Sequence, residues 1–347
     1  MSVGPGQLCV DIRHDGRQIT DLSVALERPV DAVSKLLVGR TPEEGLALVG
    51  VLFSLCGRAH QAAGSLAVAR ALGTEVPAEQ WWRQQHLLVV ERVRETALRL
   101  MRDWQLPGTD ESSVRELLAR TATLISLVES SGSDLAQSAL TLKNWWLGLC
   151  RADDSWSAWC ELRSQRWQGI TLGPGLPDLE PERVKGAVAD WVRGEPNDPV
   201  PLKNLRAGCG QTGPAASGEL TEAKAVIGSC LERLLMQIEA DLAWLVAPHL
   251  SLQPELEHGD TIWGEELGWA WVHTARGWLL HSVAMDRGRI ARWMILAPTD
   301  VNFHTEGVLR KRLPGVKVER KKAKALVSDL VLALDPCVDY KVSIQYA

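Results

Sequence analysis

The apolar pattern of this 347-residue chain changes period three times, and those changes most limit what it can fold into. Residues 7–26 (LCVDI, then ITDLSVAL) alternate as a strand does, and His14-Asp15-Gly16 offers a turn, so a hairpin is expected. From about residue 29 to 247 the spacing is mostly helical, with a break over 170–218. A first helix spans about 29–38 and stops at Gly39. A second starts at Thr41, with Thr41 as N-cap, Pro42 at N1 and Glu43 and Glu44 in the first turn, and leads through GLALVGVLFSL into Cys56. The Ala-rich AHQAAGSLAVARAL continues as helix to Gly73. A run over 79–104 spaces Trp82, Val89, Val93, Ala97, Leu100 and Trp104 along one helix face before Pro107-Gly108 stops it. Further helices are expected at 112–129, 134–150, 154–167, 182–193 and 220–247, with 170–218 read as Gly- and Pro-rich loops around the one short helix. After about residue 262 the period returns to that of strands: WAWVHTARGWLLHSVAM and RIARWMILAP are joined by Asp286-Arg287-Gly288-Arg289. A helix at 321–334 then leads into Asp335-Pro336-Cys337.

Composition excludes several classes. A net charge of −5 argues against nucleic acid as the main partner. No run of about 18 apolar residues predicts a membrane span. The N-terminus lacks a basic stretch followed by an apolar one, so a cytoplasmic location is expected. The seven cysteines are scattered and odd in number, which suits reduced thiols better than a disulfide framework. Fifteen Trp stand against two Phe and two Tyr; packing is their expected role, since Trp supplies apolar area with one polar N–H.

Four short constellations can carry chemistry. Cys56-Gly57-Arg58-Ala59-His60 puts a thiol and an imidazole four apart, hence on one face if helical, and a thiolate at a helix N-terminus is stabilised. In Asp335-Pro336-Cys337 the proline fixes the backbone just before a second thiol, after an apolar approach. Thr274-Ala275-Arg276-Gly277, followed by His281, places an arginine inside an otherwise apolar strand pair, where it needs a partner if buried. Ala297-Pro298-Thr299-Asp300-Val301-Asn302 reads as a turn after a strand. Singly, each has a structural reading: a buried thiol, a turn, a surface arginine. Other signals carry less. Gly208-Cys209-Gly210-Gln211-Thr212-Gly213 matches GxGxxG but lacks the preceding strand a dinucleotide site needs. Cys150 and Cys160 have no metal-ligand rhythm, and the five basic residues of Lys317–Lys324 read as the solvated start of a helix.

The order of the four constellations says more than any one of them. GQLCVDIRHDGRQITDLSVAL, LLVGRTPEEGLALVGVLFSLCGRAHQAA, ARGWLLHSVAMDRGRIARWMILAPTDVN and LALDPCVDYKV together resemble the catalytic large subunit of nickel–iron hydrogenases, over about the first 70 and last 80 residues. In that family two CxxC pairs hold nickel and an iron that carries two cyanides and one carbon monoxide. Cys56 falls on the second cysteine of RxCGxCxxxH and His60 on its histidine, but Phe53 replaces the first cysteine. Cys337 falls on the first cysteine of DPCxxCxxH, with Tyr340 and Ser343 in place of the later ligands, and Pro5 stands where a proton-relay Glu is expected. Arg276 matches the arginine beside one cyanide, although Ala275 replaces the usual proline before it; Pro298 and Thr299 match the step that bonds the other. The resemblance thus implies a site that keeps two thiolates and an iron-diatomic pocket but cannot assemble a four-thiolate nickel site. A C-terminal extension of the kind removed from hydrogenase precursors is also not expected.

That pattern is similar to the HupK/HoxV accessory family. The implied fold is α+β and mainly helical: a reduced [NiFe]-hydrogenase large-subunit-like fold, with a central helical bundle and small β elements from both chain ends. Segments 1–73, 74–262 and 263–347 would carry the hairpin and CxxxH motif, the helical middle, and the C-terminal hairpin with the DPC motif, in one integrated domain. The implied function is non-enzymatic. A maturation scaffold would hold Fe(CN)2(CO), without nickel, through Cys56 and Cys337, with His60, Arg276, Pro298 and Thr299 around the group. A HypC–HypD type complex would be the donor and a [NiFe] hydrogenase large-subunit precursor the recipient. Two other readings stay open: a degenerate metal-binding hydrogenase or oxidoreductase subunit, and a metal-free chaperone of the precursor.

Overall fold

A computed structural model of the chain describes residues 6–28, 30–53, 55–151, 155–176, 179, 211–214, 220–248, 256–258 and 266–346. The helix expected at 182–193, most of the 170–218 loops, Cys209 and Pro5 lie outside these residues.

The two chain ends share a sheet. β1 (Gln7–His14) pairs antiparallel with β2 (Ile19–Glu27) as the alternation predicts. On its other edge it pairs in parallel with β7 (Asp339–Tyr346), from Gln7 opposite Asp339 to His14 opposite Tyr346. Leu8, Val10 and Ile12, every second residue of β1, are fully buried, so the sheet turns one face to the core. The short tail after Cys337 is therefore a strand, which its sequence did not announce.

Behind this sheet lies the helical middle. α1 (Val30–Leu37) and α2 (Pro42–Leu52) precede α3 (Gly57–Ala71). Thr41 caps α2 as expected, and the structure adds that the cap is reciprocal: Glu44 N donates to Thr41 Oγ1 at 3.3 Å and Thr41 N to Glu44 Oε2 at 3.0 Å. α2 does not run into Cys56; it stops at Leu52, and the chain turns a corner before Cys56 becomes the N-cap of α3. α4 (Ala78–Arg102), α5 (Glu111–Glu129), α6 (Leu135–Arg151), α7 (Ser155–Gln165) and α8 (Ala223–Val246) pack into the main core. Trp104 and Trp146 are fully buried there, as the packing reading of tryptophan expects, whereas Trp82 is 37% exposed.

The second sheet runs β3-β4-β5-β6 and is antiparallel throughout, with β3 (Leu256–His258), β4 (Leu267–Thr274), β5 (Gly277–Asp286) and β6 (Arg289–Leu296). Both its faces are covered. Ala59, Ala62, Ala63 and Ala67 of α3 meet Ala270, Val272 and Leu279 on one side, and Trp269, Trp271, Leu280 and Val301 cluster on the other. The small residues of α3 let helix and sheet approach closely. A Cβ on Gly268 would lie 2.2 Å from Ala67 O, and one on Gly64 would lie 2.8 Å from the Trp293 ring. Three further helices complete the chain: α9 (Pro298–Asn302), α10 (Val308–Arg312) and α11 (Arg320–Leu334).

The hairpin between β4 and β5 corrects one expectation. Arg276 does not sit within a strand; it is in the two-residue turn between Thr274 and Gly277, which form the last pair of the ladder. Thr274 Oγ1 donates to Gly277 O at 2.9 Å and accepts from Arg276 N at 3.1 Å, fixing the turn with Arg276 at its tip.

Gly64→Val should force Trp293 out of its slot and destabilise the fold by roughly 1–3 kcal/mol, the usual cost of overpacking. Denaturant unfolding with no change of midpoint would contradict this packing.

Candidate functional site

The tip of the β4–β5 hairpin, the corner before α3, the start of α9 and the junction of α11 with β7 bring the predicted residues together. Cys56 enters as N-cap of α3, and His60 N donates to Cys56 O at 3.0 Å one turn on. Cys337 enters from the other end of the chain. α11 ends with Asp335 in the left-handed conformation (φ 49°), which Asp tolerates better than most side chains, and Pro336 then aims Cys337 inward. The two sulfurs lie close enough that Cys337 raises the pKa of Cys56, after burial, which is the larger cause; Arg276 and Arg28 act in the opposite sense. Both cysteines are free and half-buried.

Thr299 is fully buried and engaged with Cys337. Its Oγ1 donates to Cys337 Sγ at 3.1 Å and accepts from Cys337 N at 3.1 Å. Pro298 is the first residue of α9, and Asp300 closes the same turn by accepting from Ala297 N at 3.0 Å.

The state of His60 follows from its neighbours. Trp293 Nε1 can only donate, and it does so to His281 Nδ1 at 3.0 Å. Burial drives the pKa of His281 down to about 3 and that of His60 well below its usual value, so both rings are neutral. The proton of His281 is then on Nε2, which faces His60 Nδ1 at 2.8 Å. His60 must accept there and carry its own proton on Nε2. That N–H is buried and has no partner. Phe53 stacks on the His60 ring at 3.8 Å and 7°.

Further charged groups complete the site, and of these the sequence pointed only to Arg276 and Asp335. Asp335 Oδ2 lies 3.1 Å from Arg276 Nε and 2.7 Å from Arg99 Nη2. Arg276 also reaches Glu95 Oε2 at 3.4 Å. Arg28, just beyond β2, lies with Nη1 2.8 Å from Asp300 Oδ2 and its side chain 6% exposed. Burial opposes its charge, but Asp300, Cys337 and Cys56 outweigh burial and raise its pKa. Burial also lowers Arg99, to about 9. Arg28 Nη1 and Arg276 Nε are taken up by these ion pairs, whereas Arg99 Nε and Nη1 have no hydrogen-bond partner. Glu91 closes the floor, accepting from Arg58 N at 2.8 Å and Ala59 N at 3.0 Å at the start of α3. Glu91, Glu95 and Arg99 recur every four residues along α4, beside its apolar stripe. That spacing was the available signal for them, but it reads equally as a solvated face.

Chemically, the arrangement offers a metal two thiols, two carboxylate-held guanidiniums and one buried imidazole N–H without an acceptor. Among the described residues no three His, Cys, Asp or Glu side chains gather to hold a metal ion by themselves. Any metal here must bring other ligands, and donors in a dry pocket favour anionic ones.

The backbone fold is shared with solved nickel–iron–selenium hydrogenases. That of Desulfomicrobium baculatum superposes with a TM-score of 0.59 at 13% identity over 94% of this chain and 95% of its own. That of D. vulgaris Hildenborough gives 0.57 at 12% identity over 93% and 94%. The architecture is thus a mainly helical, reduced large-subunit-like hydrogenase fold. No family model matches the chain. Among curated proteins, it is 34% identical to the hydrogenase expression/formation protein HupK of Azotobacter vinelandii over 99% of both chains, and 28% identical to HoxV of Cupriavidus necator over 92% of both. The chain belongs to the HupK/HoxV family of hydrogenase expression/formation proteins. No helix among the described residues is long and apolar enough to cross a membrane.

Two predictions test this electrostatic picture. Nitrogen NMR of the histidine rings should show His60 protonated on Nε2 and bare on Nδ1; the reverse tautomer would contradict the chain of donors from Trp293. Glu91 is raised by burial to about 7 from 4.5. Its contribution to stability is therefore complete below the unfolded pKa and lost as pH rises through about 7. The depressed histidines act oppositely, so the comparison is with Glu91→Gln, which keeps the acceptor oxygen and the histidines but not the titration. Relative to that variant, the parent should lose on the order of 3 kcal/mol between pH 4.5 and 7, at ~1.36 kcal/mol per unit. A pH-independent difference would contradict it.

Proposed function

We propose that the chain is a hydrogenase maturation scaffold that transiently holds an Fe(CN)2(CO) group and passes it to a [NiFe] hydrogenase large-subunit precursor. One observation carries the reading: the buried, carboxylate-held guanidiniums of Arg28 and Arg276 both act on the Cys56 thiol, and His60 Nε2, one turn after Cys56, is a buried donor without a hydrogen-bond partner. A buried donor without a partner costs about 1–3 kcal/mol, and such a donor is retained where an acceptor arrives. Iron-bound cyanides are charged acceptors. Soft thiolates suit low-valent iron, and two of them leave positions for the diatomic ligands. Phe53 and Tyr340, which replace the other two cysteines of the resembled motifs, offer no thiolate for nickel.

The relatives named as hydrogenase expression/formation proteins support a role in maturation rather than in hydrogen turnover. On this reading the protein works in the cytoplasm, receives the group from a HypC–HypD type complex, and is not an enzyme. Cys56 and Cys337 ligate the iron, His60 orients the Cys56 side, and Arg276, Pro298 and Thr299 line the diatomic ligands. The thiols lose their protons as metal binds.

In cells lacking this gene, Cys56→Ala or Cys337→Ala copies should leave hydrogenase activity near the level of the deletion, while Cys9→Ala, on the hairpin strand, should restore it fully. Equal restoration by all three would overturn the proposal.

A further inference from the structure

We propose that Arg28 donates the hydrogen bond to the second anionic ligand of the iron group, with Thr299 acting instead as the residue that positions Cys337. This rests on the reading that the site holds that group.

A hydroxyl has one proton to give. In this structure the proton of Thr299 goes to Cys337 Sγ, at 3.1 Å, and the oxygen receives Cys337 N, at 3.1 Å. Deprotonation makes the sulfur a stronger acceptor, so loading the site strengthens this bond. The anionic ligand on the α9 side then needs another donor. Arg28 supplies one. It is 6% exposed and is held by Asp300 Oδ2, 2.8 Å from its Nη1, which occupies only part of a guanidinium that carries five N–H donors. Asp300 directly follows Thr299 and is itself held by Ala297 N at 3.0 Å, so the carboxylate holds the guanidinium at the thiol edge of α9. Arg28 acts electrostatically on Cys56, Cys337 and His60, which places it facing the pocket.

The site thus carries a guanidinium on each side: Arg276 from the β4–β5 tip and Arg28 from the end of β2. Two buried cations suit a cargo with two anionic ligands. Planar guanidinium also differs from ammonium in offering a fixed fork of donors, so lysine keeps the charge but not the geometry.

The test is infrared spectroscopy of protein purified from cells making the maturation machinery, comparing the unsubstituted chain with Arg28→Lys, Arg28→Gln, Arg276→Lys and Thr299→Val. If the unsubstituted protein shows no metal-bound CN or CO stretches, the cargo reading itself falls, independently of Arg28. With those bands present, Arg28→Lys should shift one CN band and leave the other, Arg276→Lys should shift the other, and Thr299→Val, acting through the Cys337 sulfur, should move both CN bands together. Loss of all bands in Arg28→Gln at an unchanged unfolding temperature also supports the proposal. Both CN bands unshifted in the two Arg28 variants, or a shift by Thr299→Val of the Arg28-dependent band alone, would overturn it.

Discussion

The carboxylate of Asp335, held between Arg99 and Arg276, is the joint on which the site depends. It ties three distant parts of the chain: the end of α4, the β4–β5 tip and the end of α11. Removing one partner of such a buried group leaves charge without compensation, at a typical cost of about 3–5 kcal/mol. The same carboxylate occupies the turn that hands the chain to Cys337. Charge compensation and placement of the second thiol are therefore one interaction. Parallel pairing of β7 with β1 then anchors the residues after Cys337 to the first strand of the molecule.

Around this joint the protein buries ion pairs together with donors that no acceptor engages, on His60 and Arg99. An ordinary core would not hold them, because unpaired polar groups are costly in a low dielectric. Here the surrounding structure fixes them instead. Trp293 sets the tautomer of His281, which sets that of His60, and Asp300 holds Arg28. The donors are preorganised by neighbours that are themselves packed, as with Trp293 seated against Gly64 on the Ala-rich face of α3.

Much of the fold was legible because it is written locally. Helical spacing and the Thr41-Pro42-Glu43-Glu44 start located α1 to α3, though not the break after Leu52, and alternation located the first hairpin. β7 was not legible: DYKVSIQY becomes a strand by pairing with residues more than 300 positions away. Of the site, Cys56, His60, Arg276, Pro298, Thr299 and Cys337 were found through motif order, not through any one motif. Arg28 was missed because a charged residue between a strand and Pro29 reads as a solvated loop. Glu91, Glu95 and Arg99 were missed because a charged stripe on a helix is ordinarily its wet face, and only tertiary packing turns it inward. Arg276 was assigned to a strand since its flanks are apolar; the Thr274 hydroxyl, by bonding the backbone on either side, makes a turn there.

The central claim is that two sulfurs from opposite ends of the chain share one iron. X-ray absorption at the iron edge, on protein isolated from maturation-competent cells, reads it directly. The account predicts two sulfur neighbours per iron, the remaining short bonds being to carbon, with no stoichiometric nickel. An iron with no sulfur, or with a full set of four, would contradict it.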